Sequence, residues 1–395
     1  MATEKGVWNL QEVRDKQLAS EWEYNGNFQL WSWGQGEWVG SPVSPSNQTV
    51  VTSPQQISAT YGNAWQLEKY NGHGTQNSGA IKNGELWVWG KQSGGQMGQN
   101  AGTGGGNASQ SPIQVGTDNN WASYATGGTF SLGTKTDGTL WAWGYGNQGG
   151  LGINLSSPNT KRSSPVQVGS GTNWSTSSTA LAANIYTSSA IKNDGTLWLW
   201  GGGGGGKLGD NDIVHRSSPT QVPGTTWKMA AVGETWTMAI KTDGTLWGWG
   251  VSAARGGPTP GARSSPTQVG TDTNWAYVNA GEISSMAVKT DGTLWAWGTN
   301  THGQLGQNNR AASVTPKQVG TDTTWSTTSR PFVVDQGAGA IKTDGTLWMW
   351  GDNEHGEVGQ APNDGYSSPT QVGTDTDWVH MTGAMESVLA SKDVP

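Results

Sequence analysis

The segment Lys135-Thr136-Asp137-Gly138-Thr139-Leu140-Trp141-Ala142-Trp143-Gly144 contains the motif that decides the fold. Its core, Leu-Trp-x-Trp-Gly, occurs seven times in the 395 residues, at intervals of 48–57 residues. The first tryptophans of the seven copies are Trp31, Trp87, Trp141, Trp198, Trp247, Trp295 and Trp348. A fixed period of this length is typical of repeat architectures in which each unit packs against its neighbours.

Asp-Gly pairs precede five of the motifs and indicate hairpins. Asp-Gly between two extended runs is a strong signal for a two-residue type I′ turn, which needs positive φ at both central residues. We therefore predict type I′ hairpins, for example over residues 239–249. The five aspartates are Asp137, Asp194, Asp243, Asp291 and Asp344.

Further strands are predicted upstream of each motif. Another tryptophan lies 20–24 residues before six of the motifs, and in most units it follows a run such as Ser164-Pro165-Val166-Gln167-Val168. Proline fits the first position of a strand, where a missing N–H costs least. Each unit then supplies about four short strands, which is one propeller blade. The six tryptophans are Trp65, Trp121, Trp174, Trp227, Trp275 and Trp325.

The two tryptophans of each motif share one face of their strand, and the leucine and the variable residue share the other. Both faces are largely apolar, as a blade packed between two neighbours requires. We therefore predict that the seven first tryptophans are blade-core residues. The alternative is an aromatic platform that binds sugars.

The first and last units are each incomplete, and together they make one blade. Residues 25–34 contain a motif without preceding strands, whereas the unit that begins at Trp378 has no Leu-Trp-x-Trp strand. The sequence therefore predicts an all-β, seven-bladed β-propeller over residues 25–395. Residues 28–34 would pair with the strand near residues 385–392 and close the ring, leaving no open seam.

Composition excludes several classes of function. The 22 basic and 29 acidic residues give a formal charge of −7, which argues against nonspecific binding to nucleic acid or anionic membranes. Without cysteine, there are no thiol nucleophiles and no cysteine metal sites. We see no apolar secretory signal and no run of about 18 apolar residues, so no membrane insertion is expected. No cofactor is expected.

Three linked motifs resemble the regulator of chromosome condensation repeats. They are residues 135–144, His302-Gly303-Gln304-Leu305-Gly306, and the run Arg-Ser-Ser-Pro-Thr-Gln-Val at 263–269. The resemblance covers roughly residues 25–395 and implies a seven-bladed propeller that recognises proteins through loops on one face. Family members include a nucleotide exchange factor, a β-lactamase inhibitor and bacterial and viral binding proteins. A histidine frequent in the family is replaced here by Phe130, Thr187, Trp236 and Ser284.

Residues 1–24 lie outside the repeats and are predicted to form a short helix. Asn9 would cap it and Glu12 would complete a capping box. This segment resembles N-terminal segments of structural proteins in tailed phages, which implies an anchor that binds other virion proteins. The alternative is a helix that packs on its own propeller. The anchor residues would be Trp8, Leu10, Val13, Leu18 and Trp22.

The sequence contains weak signals for catalysis or metal binding. Gly201 to Gly206 followed by Lys207 matches most of a phosphate-binding loop, but Leu208 stands where serine or threonine is needed and no βαβ unit surrounds it. One aspartate per hairpin is too few for calcium. No nucleophile–base pair is evident, and we predict a protein that is not an enzyme.

Four arginines each lie in or near the loop before the next blade's first strand, and they predict a cationic rim. They could bind acidic glycans or phosphate, or each could bond its own loop. The glycine-rich inserts around residues 91–110, 145–162 and 251–263 are further candidates for a partner surface. The arginines are Arg162, Arg216, Arg263 and Arg310.

These observations lead to a non-enzymatic phage virion protein as the first hypothesis. It would be a fibre, tail or capsid-decorating component, located on the particle, whose loops bind a host-surface glycan or protein or a neighbouring subunit. The alternative is a free bacterial protein-binding propeller, such as an adhesin or an inhibitor. A nucleotide exchange factor has no positive support in the sequence.

Overall fold

The computed structural model describes residues 28–35, 50–57, 64–67, 70–72, 77–100, 109–155, 161–251, 253–257, 261–334, 336–384 and 387–393. The strands form seven sheets, each of which is one blade. The all-β seven-bladed propeller predicted from the sequence is confirmed. The predicted helix and anchor residues at 1–24 lie outside the described residues.

The blades are numbered 1 to 7 by the position of their first strand, and each has its strands in spatial order from first to fourth. Blade 1 contains Trp65–Gln66, Asn77–Lys82, Glu85–Gly90 and Ser109–Gln114; blade 2 contains Trp121–Thr126, Phe130–Lys135, Leu140–Tyr145 and Lys161–Gln167; blade 3 contains Leu181–Asn184, Thr187–Ile191, Leu197–Gly201 and Arg216–Gln221. An additional strand, Tyr70–Gly72, leaves blade 1 and pairs in parallel with the first strand of blade 2.

The remaining blades follow the same order. Blade 4 contains Trp227–Val232, Trp236–Lys241, Leu246–Gly250 and Arg263–Gln268; blade 5 contains Trp275–Ala280, Ser284–Lys289, Leu294–Gly298 and Ser313–Gln318; blade 6 contains Phe332–Val333, Gly337–Ile341, Leu347–Asn353 and Asn363–Gln371; blade 7 contains Trp378–Ala384, Ser387–Asp393, Phe28–Gln35 and Val50–Gln56. Short 3₁₀ turns cover Asn147–Gly149, Ser178–Ala180, Gly204–Gly206 and Ala253–Arg255. The described residues contain no helix with the length and apolar character needed to span a bilayer.

Blade 7 combines strands from opposite ends of the repeat array. Phe28–Gln35 pairs antiparallel with Ser387–Asp393, in a register that runs from Phe28 opposite Asp393 to Gly34 opposite Ser387. This is the pairing that the sequence predicted. Leu30 and Trp33 of the inserted strand are fully buried, so the strand also supplies core packing to the closing blade.

The Asp-Gly hairpins are three-residue loops, and the predicted type I′ turn is wrong for them. In blade 4, Lys241 N donates to Thr245 O and Gly244 N donates to Lys241 O, which places three residues in the loop. Only the glycine has positive φ, at 78°. Such loops close with a glycine in the left-handed region. Asn83-Gly84 in blade 1 is the two-residue turn, with φ of 53° and 79°.

The ring has two distinct ends. The Asp-Gly turns lie at one end, which we call the turn face. The loops between the third and fourth strands lie at the other end, which we call the loop face. First strands of consecutive blades contact one another, so they line the central channel.

The second tryptophan of each motif lies in the core. Trp33, Trp89, Trp143, Trp200, Trp249, Trp297 and Trp350 are fully buried. In blades 2 to 7 the indole Nε1 of this tryptophan donates to a carbonyl in the loop of the preceding blade, as Trp249 does to Lys207 O at 2.9 Å. These bonds connect each of those blades to its neighbour.

The first tryptophans, which we predicted to be the core, are only partly buried. Each lies closer to the turn face. In blades 2 to 6 it covers the lysine that precedes the Asp-Gly turn, and Lys392 has the equivalent position in blade 7. In blade 4, Lys241 Nζ lies 4.2 Å from the Trp247 ring centroid and 4.8 Å from that of Trp227. Blades 2 to 7 all have such a lysine between two tryptophans. Cation–π contact is the physical reason for this arrangement.

Candidate binding surfaces

The aspartates on the turn face are engaged in their own turns. Asp243 Oδ1 accepts hydrogen bonds from Thr245 Oγ1 at 2.6 Å and from Thr245 N at 3.0 Å. These bonds, side chain first, lower the pKa of Asp243. Thr245 Oγ1 in turn accepts from Trp247 Nε1 at 2.8 Å. Across the described ranges, no three His, Cys, Asp or Glu residues are grouped so as to hold a metal ion.

Three of the four predicted rim arginines occupy one structural position. Arg162, Arg216 and Arg263 each pair with the motif glycine of the third strand of their blade. In blade 5 this position belongs to Ser313, and Arg310 lies three residues earlier. Tyr366 is the counterpart in blade 6. The cationic rim is therefore a shorter arc than the sequence predicted.

The arginines also have local partners. Arg216 contacts Asp210 Oδ2 at 2.7 Å through Nε and Asp212 Oδ2 at 3.0 Å through Nη2. Arg162 donates to the Lys161 carbonyl, and Arg310 donates to the Asp364 carbonyl at 2.7 Å. Arg263 also has an interaction partner. The contacts of Arg162 and Arg216 favour the interpretation in which an arginine holds its own loop, whereas Arg310 bonds the next blade.

The glycine run before Lys207 has no phosphate-loop geometry. Gly204–Gly206 is a single 3₁₀ turn, and no helix follows it. The Lys207 side chain is buried and donates to Glu234 O of the next blade at 2.7 Å. Burial lowers the pKa of Lys207 to about 8. The lysine therefore connects blades 3 and 4 through a hydrogen bond.

An apolar cluster surrounds this glycine run on the loop face. Ile213 is 65% exposed, Val214 is 51% exposed and Val251 is 40% exposed. Tyr186, on the turn between the first two strands of blade 3, is 38% exposed. We call these four residues the apolar cluster. Exposed apolar residues that lie together are typical of interaction sites.

The glycines hold the members of the cluster close to bare backbone. A Cβ at Gly202 would lie 3.3 Å from Tyr186 Cβ, and one at Gly205 would lie 2.4 Å from Val251 Cγ2. Gly204 differs, because a Cβ there would meet nothing within 4 Å and its φ is not positive. Neither packing nor backbone conformation requires glycine at position 204. A glycine in such a place permits close approach of another molecule.

Most histidines of the described residues serve loop geometry. His215 Nδ1 accepts from Gly203 N at 2.9 Å, and His355 Nδ1 lies 3.2 Å from Glu357 Oε1. His302 Nδ1 lies 3.0 Å from Thr301 Oγ1. His380 is different, because it lies in the central channel, where burial lowers its pKa to about 4. His73 lies outside the described residues.

Sequence analysis missed the apolar cluster, although one signal was present. Ile213 and Val214 are adjacent aliphatic residues inside a loop otherwise made of glycine and polar residues. Val251 and Tyr186 gave no such signal. Val251 joins the cluster through the packing of blade 4 against blade 3, and Tyr186 joins it through the turn that lies beside Gly202 within blade 3. The candidate inserts at 91–110, 145–162 and 251–263 are described only in part.

The fold and these surfaces define a β-propeller protein built from tandem Leu-Trp-x-Trp-Gly blades. The model of the regulator of chromosome condensation (RCC1) repeat matches residues 194–240, 291–334 and 344–390, and a second model of the same description matches residues 276–304. Over these residues the chain matches RCC1 repeats, as the motifs in the sequence indicated.

Known proteins share this architecture. The chain is 31% identical over 156 residues, 38% of its length, to the RCC1 domain-containing protein RUG3, mitochondrial, of Arabidopsis thaliana, and the match spans 33% of that relative. Prp20p of Saccharomyces cerevisiae superimposes with a TM-score of 0.77 at 16% identity, covering 94% of this chain and 92% of that one. Human WBSCR16 gives 0.77 at 16% identity, with coverage of 93% and 100%. At these identities the two structures show the fold alone.

Proposed function

We propose that this chain is a non-enzymatic protein-binding propeller whose recognition surface is the loop face of blades 3 and 4. The observation that carries the proposal is the apolar cluster around the bare backbone of Gly204. Prp20p is characterised by binding to Gsp1p and histones, and yeast RCC1 (Prp20) by a complex with Kap60. Protein recognition by propellers of this fold is consistent with the proposal.

The charges around the apolar cluster indicate which chemical character the partner surface should have. Asp212 is partly exposed beside Ile213, and Arg216 is neutralised by two aspartates. An aliphatic centre with a polar rim is the usual anatomy of a protein interface. We therefore expect an apolar anchor on the partner, and not an anionic ligand, at this site.

A photo-crosslinking amino acid at position 204 tests the recognition surface. Because Gly204 has free space around it, the replacement is expected to leave the melting temperature unchanged and to crosslink one defined protein in the source lysate. The matched control is the same amino acid at exposed Thr271 on the turn face. Equal crosslinking at both positions would remove the proposal. So would an unchanged crosslinking pattern in the Ile213→Asp and Val214→Asp double variant.

The finer proposal is that the propeller belongs to a phage particle, as a fibre, tail or capsid-decorating component. Its support is the resemblance of residues 1–24 to virion segments; none of the relatives named above is a phage protein. The geometry is compatible with display. Phe28 lies at the turn face, opposite Asp393, so an anchor preceding it would attach there and leave the loop face free.

Mass spectrometry of purified phage particles tests the virion proposal. The chain should be present at a stoichiometric ratio to the major structural proteins. A variant lacking residues 1–24 should fold with the same melting temperature but be absent from the particles. Normal incorporation of that variant would eliminate the anchor. Finding the protein only free in the lysate would instead favour the soluble adhesin or inhibitor.

A further inference from the structure

Three first strands are interrupted where they line the central channel. In blade 3, Trp174 forms an isolated bridge with Lys192 before the strand Leu181–Asn184 begins. In blade 6, Trp325 bridges to Lys342 before Phe332–Val333. Blade 1 has only Trp65–Gln66 before its chain crosses to blade 2. The first two interruptions insert residues 175–180 and 326–331 at the turn-face end of the channel.

The two insertions meet across the channel. Arg330 Nη2 donates to Ser178 O at 3.3 Å, although the residues are 152 positions apart and belong to opposite sides of the ring. Together with Leu67 and Tyr70 they line a cavity of about 290 Å³. Its wall includes Ser177, Thr328 and Tyr277 as polar groups. Cavities of this size accommodate small organic molecules.

Among the described residues that line the cavity, none balances the charge of Arg330. Its Nη1 is buried and has no hydrogen-bond partner. No carboxylate is present among the described residues that line the cavity, and the low pKa of His380 leaves that ring neutral at pH 7. Burial lowers the pKa of Arg330 to about 10, so the guanidinium remains charged. An unpaired charge in such a place is costly unless an anion meets it.

The rest of the wall is suited to an organic anion. Leu67 and Met381 present apolar atoms, and Tyr70 lies beside them with its hydroxyl already bonded to Thr126 Oγ1 at 2.8 Å. Arg330, Tyr277 and His380 all retain partial exposure. A ligand can therefore reach this wall of the cavity from the channel.

We propose that the channel cavity binds a small organic monocarboxylate, with its carboxylate beside the Arg330 guanidinium and its apolar body against Leu67 and Met381. Guanidinium–carboxylate bonds are charge-assisted and have favourable planar geometry. A phosphate dianion would bring a second negative charge, for which the described part of the wall has no second cation. The site is separate from the loop face and does not depend on the function proposed for that face.

Calorimetric titration of the full chain with benzoate tests the proposal. Benzoate is expected to bind, and benzamide, its neutral counterpart, to bind roughly tenfold more weakly, because only the carboxylate satisfies the guanidinium. Arg330→Met should abolish benzoate binding, and Arg330→Lys should weaken it. Inorganic phosphate should bind more weakly than benzoate.

A second variant keeps the proposal testable if the arginine variants do not fold. Thr328 is exposed at the wall of the cavity, so Thr328→Phe is expected to keep the melting temperature and to reduce benzoate binding by narrowing the cavity. The proposal is overturned if benzoate gives no heat up to about 10 mM. It is equally overturned if phosphate binds more tightly, if benzamide binds as well, or if folded Arg330→Met or Thr328→Phe retains full affinity.

Discussion

Deletion of residues 25–34 is expected to unfold the whole propeller. The deletion removes all but the last residue of the strand Phe28–Gln35 from the middle of blade 7, where the strand pairs with Ser387–Asp393 on one side and Val50–Gln56 on the other. Loss of one fully buried tryptophan, Trp33, would alone cost about 3–5 kcal/mol. The total stability of a domain is only about 5–15 kcal/mol. Together with the loss of the other core contacts and of the strand pairing, the deletion therefore costs more free energy than the folded domain has.

Circular dichroism and thermal melting would show the effect as loss of the cooperative transition. The matched control is deletion of residues 1–24, which leaves all strands of blade 7 in place and should melt as the full chain does. An unchanged melting temperature after deletion of residues 25–34 would mean that blade 7 does not close the ring.

Trp249→Ala is expected to lower the free energy of unfolding by about 3–5 kcal/mol, the usual cost of emptying a buried aromatic site. Trp249 is fully buried, and its indole lies 5.9 Å from that of Trp227. The replacement also leaves Lys207 O without the indole donor that connects blades 3 and 4. Urea denaturation, followed by tryptophan fluorescence and circular dichroism, measures the loss.

Trp247→Ala in the same strand is the matched control. Trp247 is only partly buried and contacts Lys241 and Thr245 near the turn face. Trp247→Ala should lower the free energy of unfolding by clearly less, roughly 1–2 kcal/mol, because less buried apolar area is lost. The loss of unfolding free energy for Trp249→Phe should lie between the losses for Trp247→Ala and Trp249→Ala, because phenylalanine refills most of the volume but lacks the indole N–H. Equal losses for Trp247→Ala and Trp249→Ala would contradict the division into core and cover tryptophans.

The periodicity of the sequence was sufficient to predict the blades and their closure. Each Leu-Trp-x-Trp-Gly strand has the same neighbours in every unit, so a local pattern determines a global arrangement. The turn type was less accessible. The hairpin takes a three-residue loop because Thr245 supplies two donors to Asp243 Oδ1, and an Asp-Gly pair alone does not distinguish that loop from a two-residue turn.

The candidate binding surfaces were harder to predict from the sequence than the propeller fold. Exposure of Ile213 and Val214 depends on how one irregular loop packs, and no periodic rule covers it. The channel insertions had a faint signal: 24 residues separate Trp174 from Trp198, whereas 20 separate Trp227 from Trp247. That Arg330 would meet Ser178 across the ring depends on the sevenfold geometry, because the two residues are far apart in sequence.

The position of Phe28 has a mechanical consequence. A load applied between an attachment before Phe28 and a partner held at the loop face would pull this strand along its own axis. The seven residue pairs that join it to Ser387–Asp393 run across that axis. The load would therefore shear all of these pairs together and would not peel them apart one at a time. The closing blade is built to resist tension in the direction in which a tethered binding protein would experience it.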